Sequence, residues 1–168
     1  MRGGLTPRRI FRVRLPMSKI AIKFGGYQNP ASTHNRAAGR FGELLKQRLG
    51  DRVDFELIGN VLERGRQSGD LPKMVEAGEL SFCYISSVRF ADAVPEFKVM
   101  ELPYMVRDRA SVQRAFAGAF GDILRARMAE NTPYRLLGVW EGGFRHVTNR
   151  VRPLRAPEDC KGLKIRCQ

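Results

Sequence analysis

Five stretches carry the apolar pattern of β-strands. Residues 20–24 alternate weakly before a glycine pair, and residues 52–58 alternate apolar with charged side chains, which is typical of a strand with one solvated face. Residues 80–85 are apolar nearly throughout, as expected for a strand buried on both faces. A longer strand is predicted from Tyr134 to Arg145, and a short one from Leu163 to Arg166.

Three segments with helical spacing separate these strands. The predicted helices run from a Ser32 or Thr33 cap to Leu49, from an Asp70 cap to Gly78, and from an Asp108 cap to Met128. The apolar stripe of the last helix is more typical of a core than of a cofactor pocket. Strands alternating with helices indicate the α/β class, in which loops at the carboxyl ends of strands commonly line a ligand cleft.

Length and charge limit the number of domains and the kinds of partner that the chain can have. The 168 residues, 43% of them hydrophobic, support one domain with a core, or one lobe of something larger. The formal net charge is +13, and residues 1–23 hold seven basic residues and no acid. We therefore expect residues 1–18 to be a basic tail on a mildly basic body. The tail offers Phe11 as its single aromatic, so nucleic acid is not an expected partner.

The start of the chain lacks the features of an export signal. Arginine or proline interrupts every apolar run between Met1 and Lys19, and no small-residue cleavage site follows. Either the protein stays inside the cell, or its true start differs from Met1, with Met17 as an alternative. No stretch reaches the roughly 20 apolar residues of a membrane helix.

The usual enzymatic constellations are missing from the sequence. It has no H-E-x-x-H, no G-x-S-x-G and no P-loop, and the glycine turn after the first strand lacks the G-x-G-x-x-G of a dinucleotide site. With two histidines and three cysteines that lack C-x-x-C spacing, neither a metal nor a cofactor is expected. A disulfide between Cys160 and Cys167 is an alternative use of two of the cysteines.

The end of the chain carries the strongest candidate chemistry. Pro157 and two acids open a one-turn helix that Gly162 closes, and the following strand ends at Arg166. Arg145 follows a glycine pair, where a ligand can approach the backbone closely. Guanidinium groups at two strand ends would suit a carboxylate or a phosphate.

These stretches also resemble a known family. G-F-R-H-V-T-N at 143–149 and P-E-D-C-K-G-L-K-I-R at 157–166 look like the signature of the DctP-type solute-binding receptors of tripartite ATP-independent periplasmic (TRAP) transporters. V-E-A-G-E-L at 75–80 and L-P-Y at 102–104 also fit that family. The resemblance covers only the first half of such a two-lobed receptor.

The resemblance implies a fold and a domain plan. The expected fold is a periplasmic-binding-protein-like (type II) α/β lobe, with a mixed sheet flanked by helices, truncated at the start of the second lobe. Residues 19–141 would form the first lobe, and residues 142–168 the crossing strand and the beginning of the second. A periplasmic location, a small organic-acid ligand and the integral membrane subunits of a TRAP transporter as partners follow from the same resemblance.

The resemblance also implies ligand-binding residues. Arg166 would be the main partner of a substrate carboxylate, with Arg145 in support. Loop positions at the expected cleft complete the set of candidates: Gln28, Asn29, Ser86, Ser87, Arg89 and Trp140. Two other interpretations stay open, a basic cytoplasmic domain that binds anions or nucleic acid, and a truncated gene product without a function.

Overall fold

A parallel three-stranded sheet organises the first half of the chain. The structure is a computed structural model that describes residues 19–144 and 146–166. Its strands are β1 (Ile20–Gly25), β2 (Val53–Ile58) and β3 (Phe82–Cys83), in the spatial order β2-β1-β3. β1 pairs with β2 along its whole length, from Ile20 opposite Val53 to Gly25 opposite Ile58. The α/β class and the first two predicted strands are confirmed.

Helix α1 (Thr33–Leu49) makes the crossover between the first two strands, because parallel neighbours cannot be joined by a tight turn. The Ser32 hydroxyl accepts a hydrogen bond from the Asn35 amide, and Gly50, at a φ of +57°, ends the helix. A methyl group at Gly42 would lie 2.2 Å from a ring carbon of Phe55. The absence of a side chain at this position therefore lets α1 pack closely on β2.

Helix α2 (Leu71–Glu76) packs on the sheet, and its buried side chains contribute to the first hydrophobic core. Pro72 lies in its first turn, as predicted, but Asp70 does not cap it. The Asp70 carboxylate instead accepts a hydrogen bond from the Gln67 amide at 2.8 Å, because it closes a 3₁₀ turn that precedes the helix. The buried side chains of this core are Ile58, Val61, Leu71, Met74 and Leu80.

The third predicted helix is two helices in the structure, α3 (Arg109–Ala117) and α4 (Ala119–Asn131). Asp108 caps α3 as predicted, accepting a hydrogen bond from the Ser111 amide at 2.7 Å. The backbone adopts an extended conformation at Gly118, which ends α3. A methyl group at Gly121 would lie 1.9 Å from the Phe116 carbonyl oxygen, so the chain passes closely here. The prediction of one continuous helix was wrong, because apolar spacing continues across a break that these glycines permit.

A second core lies beside these helices. Its buried side chains are Val94, Phe97, Leu124 and Met128. Phe97 comes from a 3₁₀ helix, Pro95–Glu101, in the connection that the sequence marks with prolines. The sheet and the α3–α4 pair are thus each stabilised by a hydrophobic cluster of their own.

Predicted strands that find no partner remain irregular. β3 is two residues long rather than six, and neither residues 134–144 nor residues 163–166 form a strand. Extended backbone becomes a strand only when a neighbour pairs with its amides and carbonyls. All three strands that the structure describes run parallel, and its antiparallel pairing is confined to an isolated bridge, Tyr27 to Asn60. The expected mixture of parallel and antiparallel strands is therefore not seen among the described strands.

Across residues 19–144 and 146–166, no helix is both long and apolar enough to cross a lipid bilayer.

Candidate functional site

The loop after β1 is fixed by one buried amide. Asn35 is 2% exposed, and its Nδ2 donates to the carbonyl oxygens of Gln28 and Asn29, each at 2.9 Å, and of Gly59 at 3.1 Å. The carbonyl groups of two loops at the carboxyl edge of the sheet thus share one donor. Since buried polar groups that lose their partners are costly, Asn35 holds this edge in a defined shape.

Tyr84 completes the same arrangement from the end of β3. Its hydroxyl donates to Asn35 Oδ1 at 3.0 Å and accepts from the amides of Tyr27 at 3.3 Å and Gln28 at 3.2 Å. One donated and two accepted bonds use the full capacity of a hydroxyl, so this group positions the loop. Burial is the main cause that raises the pKa of Tyr84 above its ordinary value.

Neither Asn35 nor Tyr84 was among the residues that the sequence predicted for the site. Asn35 lies on the buried face of α1 together with Ala38 and Gly42. A polar residue in a stripe of small apolar residues, directly after a loop, is the signal that could have identified it. Tyr84 offers no such signal, because its three partners lie 49 to 57 positions away along the chain.

Aromatic rings form a platform beside this loop. Trp140 stacks on Phe24 with ring centroids 6.1 Å apart and an angle of 4° between the planes. The His34 ring stacks on Tyr84 at 5.4 Å and lies 6.2 Å from Trp140. Trp140 keeps 41% of its surface exposed, although one face is packed on the sheet. A flat, partly exposed apolar surface thus lies at the edge where the sequence predicts a ligand cleft.

Two of the predicted residues each adjoin His34. His34 Nδ1 lies 3.1 Å from Gln28 Oε1, and His34 in turn adjoins Trp140. His34, which the sequence analysis did not select, is therefore the link between Gln28 and Trp140. Asn29 is exposed, and its carbonyl oxygen is held by Asn35.

The residues after β3 lie at the same edge of the sheet. Ser86 and Ser87 are half-buried, and Ser87–Phe90 forms a 3₁₀ turn in which the Arg89 amide donates to the Ser86 carbonyl at 3.1 Å. Arg89 is exposed, with Nη1 3.8 Å from the point where a methyl group at Gly69 would lie. Gly69 lies in the 3₁₀ turn that precedes α2, so Arg89 lies at the carboxyl edge of the sheet. It forms no ion pair with any residue that the structure describes.

The predicted turn before Arg166 is confirmed. Pro157–Cys160 is a single 3₁₀ turn, and the Asp159 carboxylate accepts from the amides of Arg155 at 2.8 Å and Ala156 at 3.0 Å. These two hydrogen bonds hold the pKa of Asp159 below its usual value. The Arg152 guanidinium donates to the carbonyl oxygens of Asp159 and Lys161 and fixes the turn from the other side.

Arg166 itself is exposed and forms no ion pair among residues 19–144 and 146–166. Arg145 lies outside the described residues. Within the described parts of the chain, no hydrogen bond or ion pair joins residues 146–166 to residues 19–144. The structure thus places both Gln28 and Trp140 beside His34, but no described hydrogen bond or ion pair links Arg166 to them.

Comparison with known proteins decides the family. Residues 24–168 match the family described as bacterial extracellular solute-binding protein, family 7 (DctP). The chain belongs to this family. Family 7 consists of solute-binding proteins and not of enzymes, in agreement with the missing catalytic motifs.

Curated DctP relatives match most of this chain. It is 30% identical over 146 residues to the 2,3-diketo-L-gulonate-binding periplasmic protein YiaO of Escherichia coli, and 34% identical over 148 residues to the sialic acid-binding periplasmic protein SiaP of Vibrio cholerae. These matches cover 87% and 86% of the chain. The chain spans 44% of the length of each of these two relatives.

Solved structures show the same DctP fold. A TRAP periplasmic solute-binding protein from Ochrobactrum anthropi superposes with a TM-score of 0.77 at 22% identity, over 88% of this chain and 45% of the other. A second, from Sulfurospirillum deleyianum with bound succinate, gives a TM-score of 0.60 at 21% identity, over 68% and 36%. At this identity the likeness establishes the architecture of the lobe, and the assignment of ligand-binding residues depends on their chemistry.

Proposed function

We propose that this chain forms part of the solute-binding component of a TRAP-type transporter and captures a small carboxylate for uptake. Family membership supports the proposal, as do structural neighbours that hold succinate and β-D-galacturonate. YiaO and SiaP are periplasmic binding proteins, which favours a periplasmic location and membrane subunits of the transporter as partners. Residues 19–141 serve as the first lobe, and residues 142–168 cross into the second.

The observation that carries this proposal is that Arg166 is exposed and has no described ion-pair partner. It closes the P-E-D-C-K-G-L-K-I-R motif inside the matched region, it is exposed, and it has no carboxylate partner in the described chain. An unpaired guanidinium presents a planar fork of donors that fits both oxygens of a carboxylate. Arg145 adds a second guanidinium in support.

Loop residues at the carboxyl edge of the sheet complete the ligand shell. Gln28 retains its amide nitrogen as a donor, since its oxygen faces His34. Ser86, Ser87 and the exposed Asn29 supply hydroxyl and amide groups, and Arg89 supplies a further positive charge. Closure of two lobes around the ligand would exclude water and strengthen each of these hydrogen bonds.

A hybrid receptor provides the test. Residues 24–168 replace the matching segment of Vibrio cholerae SiaP, and isothermal titration calorimetry measures sialic acid binding. We expect saturable binding that Arg166→Ala weakens by roughly 100-fold, because a desolvated carboxylate then lacks its charged partner. Arg166→Lys should recover little of this loss, since an ammonium group cannot form two parallel hydrogen bonds.

Arg150→Ala is the matched control, since it removes the same charge from an exposed position in the same segment. Its affinity should stay within about twofold of the unmodified hybrid. A folded hybrid that binds no carboxylate, or one in which both alanine variants bind equally well, would contradict the proposal. For the 168-residue chain alone we expect only weak binding, because it supplies less than half the length of a complete receptor.

A further inference from the structure

An open depression adjoins the aromatic platform and reaches beyond the residues assigned above. It has a volume of about 460 Å³ and lies where the start of α1, one face of α3 and residues 138–141 meet. This volume falls within the range of small-molecule sites, about 300–1,000 Å³. Its polar lining residues are Thr33, His34, Gln113, Arg125 and Glu141, and Trp140 contributes an apolar ring.

We propose that this depression binds the hydroxylated ring of a sugar acid, so that the solute is a hexuronate-like acid rather than a short dicarboxylate. The inference rests on the proposed function, because the carboxylate of the same ligand is assigned to Arg166. Trp140 offers the ring a flat apolar surface, and the neighbouring polar side chains serve its hydroxyl groups.

The charges in the depression argue against a second carboxylate. The guanidinium of Arg125 already pairs with the Asp122 carboxylate at 2.6 Å. Glu141 lies 3.6 Å from Arg109 and would itself repel an anion. Among the described lining residues no unpaired arginine or lysine is left for the far end of a dicarboxylate, whereas a hydroxyl group can pair with any of the polar side chains.

His34 sharpens this distinction. Its Nδ1 lies 3.1 Å from Gln28 Oε1, and an amide oxygen only accepts, so this contact favours the tautomer in which Nδ1 donates. In that tautomer Nε2 is an acceptor. A sugar hydroxyl can donate to it, but an ionised carboxylate cannot. With Nδ1 donating to Gln28, His34 therefore suits a ligand that brings a hydroxyl donor.

Saturation-transfer NMR on the 168-residue chain tests the inference, because it detects millimolar binding and shows which ligand protons touch the protein. D-galacturonate and succinate are the two probes. We expect transfer to the ring protons of galacturonate and a much weaker signal for succinate. Gln113→Ala and His34→Ala should each weaken galacturonate binding roughly 2- to 10-fold, the change that one neutral hydrogen bond supplies.

Gln47→Ala is the control, since it removes the same side chain from an exposed position of α1 that does not line the depression. Gln113 is exposed on α3, so its removal leaves both cores intact. Equal signals from the two acids, silence of galacturonate, or indifference to both depression variants would overturn the inference.

Arg166→Ala separates the two proposals. A galacturonate signal that is lost in Arg166→Ala but unchanged in His34→Ala and Gln113→Ala would leave the carboxylate function standing and remove the sugar subsite. A signal that needs His34 and Gln113 but not Arg166 would support the subsite and contradict the role of Arg166 in capturing the acid.

Discussion

Two regions of the molecule are held together differently: the sheet unit, residues 19–85, and the carboxyl segment, residues 146–166. Both contain helix or turn starts that the local sequence specifies. In the sheet unit, Asn35 reaches Gly59 and Tyr84 reaches Tyr27, 24 and 57 positions apart in the chain. In the carboxyl segment, no hydrogen bond that the structure describes spans more than nine residues. The first region is stabilised by burial and the second by turn chemistry alone.

Exposure of apolar side chains follows this difference. Val147 is 62% exposed, Val151 63% and Ile165 45%, whereas Val61 and Leu71 in the sheet unit are fully buried. Side chains that stay in water add little to the free energy of folding. The carboxyl segment therefore contributes candidate binding groups, and the stability of the described chain comes from elsewhere.

Leu71→Ala should show the largest difference in stability between the two regions. Leu71 is completely buried in the first core, and its truncation should lower the free energy of unfolding by about 2–5 kcal/mol. Ile165→Ala, the counterpart in the carboxyl segment, should change it by less than about 0.5 kcal/mol. Urea denaturation followed by circular dichroism measures both. Similar losses for the two variants would show that the carboxyl segment is packed against the lobe in solution.

Asn35→Ala should have the next largest effect. It leaves three carbonyl oxygens and the Tyr84 hydroxyl without their shared partner, which we expect to cost about 2 kcal/mol. Asn131→Ala removes the same side chain from an exposed position at the end of α4 and should cost less than about 0.5 kcal/mol. Thermal unfolding of both variants measures the difference. An equal effect would mean that the loop after β1 does not depend on this amide.

The success of the sequence predictions along the whole described chain follows the same division between local and distant contacts. The Ser32 and Asp108 caps and the Pro157 turn were predicted correctly, because each depends on residues within three or four positions. The strands expected at 134–145 and 163–166 were not found in their described residues, because pairing depends on a neighbour that the local pattern does not specify. Most caps and turns were predictable from nearby residues, with the Asp70 cap as an exception, whereas pairing between distant segments was not.

The candidate site follows the same rule. Gln28 and Trp140 were selected from their places in a loop and a predicted strand, and the structure places both beside His34. Asn35, Tyr84 and His34 were missed because they act through contacts between elements rather than through a motif. The roles of Arg166 and Arg145 stay predictions.

The reaction rates of Cys83 and Cys160 test the same comparison without a mutation. Burial raises the pKa of the Cys83 thiol to about 11 from an ordinary value of 9.0, so its reactive thiolate at about pH 8 should be roughly 100-fold scarcer than that of an ordinary thiol. Cys160 is half-buried in the turn of the carboxyl segment. Iodoacetamide should therefore modify Cys160 well before Cys83, as peptide mass spectrometry can follow. In guanidinium chloride the two rates should converge, and equal rates in the native protein would contradict the burial of Cys83.

The smallest expected effect is a local pH response in the carboxyl segment. Because the folded turn lowers the pKa of Asp159, its contribution is present above the ordinary value of 3.8 and is lost as pH falls through the lowered value. The amide resonances of Arg155 and Ala156, which donate to this carboxylate, should therefore shift below about pH 4 and report the opening of the turn. Asp159→Asn should remove the titration, since its amide cannot ionise. If the Asp159 transition instead lay at or above 3.8, the two amide bonds would not be formed in solution. The turn that precedes Arg166 would then lack the fixed shape that presentation of a guanidinium fork requires.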